Sequence, residues 1–178
     1  MLKKILIASL VVIFVNTLAF AFQRDAPWER FNSPAGNFNI LMPSKPAVDL
    51  KDVDTAVGTL KLHLFSASTD TGYFLVSYGD YPSAPADLND AESVLNGVRD
   101  GIVNGSTSEL VSEKKISLYS YPGREIVTKK ATQGDVIVFK WRIYLVGRRL
   151  YQIAVGTTQK DAEMPDVNKF LTSFDLNK

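Results

Sequence analysis

The sequence predicts an α+β fold, an antiparallel β-sheet with helices packed on it. Three observations predict it. Stretches with apolar residues at every second position recur along the chain, most densely between residues 111 and 156. Short polar turns join them, too short for the crossover that parallel strands need. One long and one short stretch carry apolar residues at helical spacing, and neither alternates with single strands as in a doubly wound sheet.

The chain opens Met1-Leu2-Lys3-Lys4 and continues with an apolar run from Ile5 to Phe20. Ala19-Phe20-Ala21 puts small residues at the positions a signal peptidase reads. Residues 1–21 are therefore expected to be a signal peptide cut after Ala21, and residues 22–178 a single globular domain. The alternative is an uncleaved anchor, because about 18 apolar residues just cross a bilayer. Only then does a membrane enter as a partner. Either way, Lys3 and Lys4 stay inside and the remainder crosses, giving a periplasmic or secreted location.

Residues 22–35 read as an entry segment broken by Pro27 and Pro34, with Trp28 and Phe31 tucked against the domain. A strand is expected over Gly36 to Met42, with Phe38, Ile40 and Met42 alternating inward and Pro43-Ser44-Lys45-Pro46 ending it. Asp49, Asp52 and Asp54 read as an acidic loop. The next strand, Val57 to Ser66, carries Leu60, Leu62 and Leu64 on one face and Lys61 and His63 on the other, so His63 is expected to point away from the leucine-lined core. A turn at Thr69-Asp70-Thr71-Gly72 returns the chain as a hairpin strand, Tyr73 to Tyr78.

The best helix follows. Leu88, Ala91, Leu95, Val98 and Ile102 form one apolar stripe, Asp87 is placed as N-cap, Asn96 on the exposed side and Gly105 at the stop. Gly97 and Gly101 cost about 1 kcal/mol each relative to alanine, which suggests close packing there. Strands over Val111–Tyr119, Gly123–Ala131, Val136–Val146 and Leu150–Gly156 form a meander. Pro122-Gly123 is expected to make a tight turn, and Arg124 and Glu125 to project to opposite faces. A short helix starts near Pro165, with Val167, Phe170, Leu171 and Phe174 as its apolar set.

Composition limits the chemistry. The 178 residues are 46% hydrophobic and 22% charged, ordinary globular usage. The formal net charge of +1 gives no basic bias, so no nucleic acid is expected as partner. There is no cysteine, which excludes disulfides, thiolate catalysis and cysteine-held metals. His63 is the single histidine, so a multi-histidine metal site is impossible, and it reads as a surface residue. No nucleophile elbow, phosphate loop or dinucleotide fingerprint occurs. No catalytic residue, metal or cofactor is therefore expected. The acidic run at 49–54 reads as solvated rather than calcium-binding, and Arg124 and Glu125 read as structural.

One constellation remains. Lys140, Arg142 and Tyr144 alternate with Phe139, Trp141, Ile143 and Leu145, and Arg148 and Arg149 lie in the adjoining turn. Together the five form a candidate binding surface for an anionic ligand or a partner. The plain alternative is the solvated outer face of a sheet.

Several strings resemble those of the PsbP-like family of exported bacterial proteins. Phe38-Asn39-Ile40-Leu41-Met42-Pro43 resembles its opening strand, and Lys169-Phe170-Leu171-Thr172-Ser173-Phe174 its closing string. Tyr121-Pro122-Gly123-Arg124-Glu125 and Arg149-Leu150-Tyr151-Gln152-Ile153 are similar to recurring strings between them. The resemblance covers residues 28 to 176. It implies an α/β/α sandwich around an antiparallel sheet and a binding or scaffolding role, since relatives include extrinsic photosystem II subunits and assembly factors. It carries over no catalytic residues. The expected function is a non-enzymatic exported domain that binds a protein partner in the cell envelope. The alternative is a small-ligand or metal-ion carrier with a pocket between sheet and helix, and an enzyme ranks third.

Overall fold

A computed structural model of the protein describes residues 27–55, 58–82 and 88–178. The expected cleavage site, the Asp87 cap and the side chain of Leu88 lie outside the described residues. Five strands come first: β1 (Glu29–Ser33), β2 (Phe38–Met42), β3 (Ala47–Thr55), β4 (Gly58–Thr69) and β5 (Gly72–Asp80). Helix α1 (Leu88–Gly105) follows, then β6 (Glu109–Leu118), β7 (Tyr121–Ala131), β8 (Val136–Val146) and β9 (Arg149–Thr158). A 3-10 turn, helix α2 (Pro165–Thr172) and the short strand β10 (Asp175–Leu176) complete the chain. No helix among the described residues is long and apolar enough to cross a membrane.

The central layer is a seven-stranded sheet in the order β3-β4-β5-β9-β8-β7-β6, with every neighbouring pair antiparallel. The antiparallel sheet with helices packed on it is therefore present. One face takes α1, whose buried Ala91 and Leu95 meet Ile126, Ile143, Leu145 and Leu150. The other face takes α2 together with a small sheet, β1-β2-β10. That outer layer is thus only partly helical, where the sandwich expectation had helices on both sides.

The second face holds the larger core. Phe38, Ile40 and Met42 of β2 are buried, as the alternation required, against Phe65, Phe74, Val76, Tyr151 and Ile153 of the large sheet. Aromatic rings knit this layer in edge-on and stacked pairs. Phe31 lies 4.9 Å from Phe65, and Trp28 meets Phe74 edge-on at 5.3 Å. Trp28 and Phe31 tie the entry segment down as expected, but residues 29–33 do so as a strand paired with β2.

Three local readings change. Residues 47–55 are not a loop but strand β3, at the open edge of the large sheet, where solvent accepts the charges of Asp49 and Asp52. Pro122 and Gly123 lie inside β7; the turn is Tyr119-Ser120, three residues earlier, with Tyr119 at φ +55°. Gly123 is needed for another reason. A Cβ there would press into the Ile143 carbonyl and the Tyr144 ring. Gly97 and Gly101 face solvent, with no atom within 4 Å of a built Cβ, so nothing packs closely on them.

Candidate functional site

The five candidate residues separate into two places. Lys140, Arg142 and Tyr144 share one face of β8, as the alternation predicts, but that face lies beneath α2. Tyr144 is only 5% exposed and stacks on Phe174, with ring centroids 6.0 Å apart. Burial pushes its phenol above the usual range. The Nε of Arg142 donates to Glu125 Oε2 at 2.9 Å, and its Nη1 donates to the Leu171 carbonyl at 3.4 Å. Lys140 pairs with Glu163 at 2.8 Å. The expectation of an outer, accessible face is therefore corrected for these three. Both faces of the sheet are covered at β8, so polar alternation does not mark the solvent side there.

Glu125 anchors that cluster. Burial pushes its carboxyl up, but hydrogen bonds from Lys114 and Arg142 outweigh this and hold it below the usual range. Arg124 projects to the opposite face, as the strand period dictates. It is 3% exposed and binds Glu92 through Nη2 and Glu113 through Nε at 2.9 Å. Arg99 also reaches Glu113, at 2.9 Å, and Lys115 reaches Glu92, also at 2.9 Å. Asn96, expected to be exposed, accepts from Arg124 Nη2 at 3.3 Å. This network fastens α1 to β6 and β7. Its glutamates carried no local signal in the sequence, because their partners come from distant strands.

Arg148 and Arg149 end elsewhere, at a cleft of about 330 Å³ lined with Asn37, Asp80, Val146 and Tyr151. Gly147, with φ +59°, takes the left-handed turn position between β8 and β9 and leaves Arg148 at the tip. Arg149 is pinned. It donates from Nε and Nη2 to the two oxygens of Asp80, at 2.7 and 2.8 Å, and from Nη1 to the Ala35 carbonyl at 3.0 Å. Its guanidinium also lies 4.7 Å from the centre of the Tyr78 ring. The hydrogen bond from Arg149 holds the Asp80 carboxyl below its usual range. Tyr151 donates its hydroxyl to the Gly36 carbonyl at 2.7 Å, which fixes the β1–β2 turn as the cleft's other wall.

His63 lies beside this cluster. It stacks on Tyr78, centroids 4.6 Å apart and planes 5° from parallel. It thus points away from the leucine face, as the alternation predicts, but lies half-buried on the aromatic face of the sheet with Phe65, so the reading of a surface histidine is corrected. The physical reason is that β4 is sandwiched: Leu60 is buried on one face, Phe65 and Ala67 on the other.

Chemically, the cleft offers one neutralised guanidinium locked in place and one exposed guanidinium at its rim. Arg148 donates no side-chain hydrogen bond among the described residues, and its guanidinium is available to a carboxylate or phosphate. Among the described residues, no group of three or more histidines and acids could hold a metal ion. Asp49 and Asp52 of β3 do not converge, because they project to opposite faces of the strand.

No family model matches the chain, and no curated protein does. Solved structures do. The solution structure of cyanobacterial PsbP (CyanoP) from Synechocystis sp. PCC 6803 superposes with a TM-score of 0.60 at 14% identity, covering 85% of this chain and 93% of that one. A Bacteroides thetaiotaomicron protein gives 0.46 at 15% identity, over 85% of this chain and 49% of its own. A Pseudomonas aeruginosa protein of unknown function gives 0.42 at 8% identity, over 79% and 90%. The first shows a PsbP-like fold, and at that identity it shows the fold alone.

Proposed function

We propose that this chain is an exported, non-enzymatic binding or scaffolding domain that docks on a protein partner in the cell envelope. One observation carries the reading. Arg148 stands exposed at the rim of an open, mostly polar recess whose floor, the Asp80–Arg149 pair, is already locked. A preformed floor costs little ordering on association, and an exposed arginine at its rim suits an acidic side chain of a partner. Convergence of Arg142, Glu125 or Tyr144 in a deep pocket would favour the carrier alternative, but these residues pack under α2. The PsbP-like fold supports an accessory role only at the level of architecture. The leader with Lys3, Lys4, Ala19 and Ala21 supports export.

The test is recovery of the tagged protein from the envelope fraction of its own host, with mass spectrometry of what accompanies it. The expected result is one protein in near-stoichiometric amount, lost from the Arg148→Glu variant while its melting curve is unchanged. A partner retained by Arg148→Glu removes the cleft as the docking surface. A small molecule in place of a protein favours the carrier reading.

A further inference from the structure

Strand β3 is one open edge of the large sheet. Its backbone direction follows from its neighbours. The β4–β5 hairpin closes on Thr69 and Gly72, so His63 exchanges its ladder hydrogen bonds with Tyr78 on that side. Leu50 lies opposite His63 on the other side of β4. It therefore directs its own N–H and C=O outward, away from β4, and Val48 and Asp52 do the same. The Leu50 N–H is indeed met by the neighbouring Asp49 Oδ1, at 2.8 Å, rather than by β4. Val48 is 70% exposed and Leu50 53% exposed. An edge strand with outward backbone groups and bare apolar side chains is a template for another strand.

We infer that two copies of this chain pair edge to edge through β3, antiparallel, about a two-fold axis at Leu50. The strand's own sequence selects that partner and that register. With Leu50 opposite Leu50, each Asp49 faces Lys51 of the other copy, and each Val48 faces Asp52, whose charge Lys61 already meets at 3.1 Å. Leu50 and Val48 of both copies then meet on one face, directly and diagonally. A register centred on residue 49, 51 or 52 sets like charges face to face across the axis, and one centred on 48 sets Lys51 against Lys45. Outward N–H and C=O groups at 48, 50 and 52 match in the Leu50 register, and Pro46, without an N–H, ends the ladder. A self-complementary patch of this kind is what a closed two-fold contact requires.

Sedimentation of the purified protein from low to high micromolar concentration tests this. The expected result is a monomer–dimer equilibrium. Lys51→Asp and Asp49→Lys should each weaken the dimer roughly tenfold or more, and the double exchange of both residues should restore it. A protein that stays monomeric throughout, or a dimer indifferent to the single reversals, overturns the proposal. So does a double exchange that fails to restore pairing. A second measurement does not depend on charge. The chain has no cysteine, so Leu50→Cys can form a disulfide only between copies. Directly facing hydrogen-bonded residues sit about 5.5 Å apart, within disulfide reach. Leu50→Cys should cross-link rapidly under mild oxidation and Thr132→Cys, exposed far along the sheet, should not. Equal rates count against the interface.

Discussion

Asp80 and Arg149 face each other directly across β5 and β9, and the guanidinium grips both carboxylate oxygens at once. The pair closes the floor of the cleft and, through the Ala35 carbonyl, holds the β1–β2 turn against it. Asp80→Asn keeps the size and removes the charge. It should cost about 1–3 kcal/mol of stability by chemical denaturation. Arg149→Lys should cost a similar amount, because an ammonium cannot reproduce the forked contact or lie flat against Tyr78. No loss from either change would mean the pair is incidental to the fold.

Tyr144 and Arg148 lie four residues apart and should behave oppositely. Tyr144→Ala empties a site in the aromatic core beside Phe174 and should cost about 3–5 kcal/mol. Arg148→Ala should leave the melting temperature within experimental scatter, since surface changes of this kind are small. Equal losses would show that the turn is buried in a way the fold does not describe.

Helix α1 offers a similar contrast on its two sides. Leu95 is fully buried, and Leu95→Ala should cost about 2–5 kcal/mol. Gly97 and Gly101 face open space, so Gly97→Ala and Gly101→Ala should each stabilise by up to about 1 kcal/mol. Thermal melts of the three variants decide this. Destabilisation by the alanines would reveal a contact on the outer face of the helix.

The Glu92 pair sets an acid response. Hydrogen bonds from Arg124 and then Lys115 lower its carboxyl from 4.5 to about 2. A depressed carboxyl stabilises the fold fully above its unfolded value and loses that contribution as pH falls through the folded one. Stability from this source should therefore be constant above about pH 4.5 and decline toward pH 2. In Glu92→Gln the acid limb between those values should be shallower in urea unfolding, with lower stability at neutral pH. Superimposable slopes would exclude the network as its cause.

Much of this architecture can be read from residue patterns, and the failures have physical reasons. The meander from β6 to β9 and the stripe of α1 announce themselves because turn chemistry and apolar spacing agree there. β3 is hidden because an edge strand needs only one neighbour and tolerates Asp49, Lys51 and Asp52 in solvent. β1 is hidden by its short length between Pro27 and Pro34. The side to which Lys140, Arg142 and Tyr144 project is legible, but not what lies above it. That depends on α2 and the residues just after it, thirty residues on, returning over β8 to supply the Leu171 carbonyl and Phe174. His63 misleads for the same reason, since the leucines of β4 mark one core and Tyr78 lies in the other.

The small sheet places β2 between β1 and β10, so residues 29–33 and 175–176 flank the same strand from opposite sides. The largest core is roofed by this sheet and by α2, and both need the last residues of the chain. The aromatic layer around Phe38 is covered by β1 on one side and closed by Phe174 and Leu176 on the other. Contacts of such long sequence separation also form slowly. A proteolytic nick that frees residues 173–178 would bare one edge of β2 and the Phe174 side of this core together.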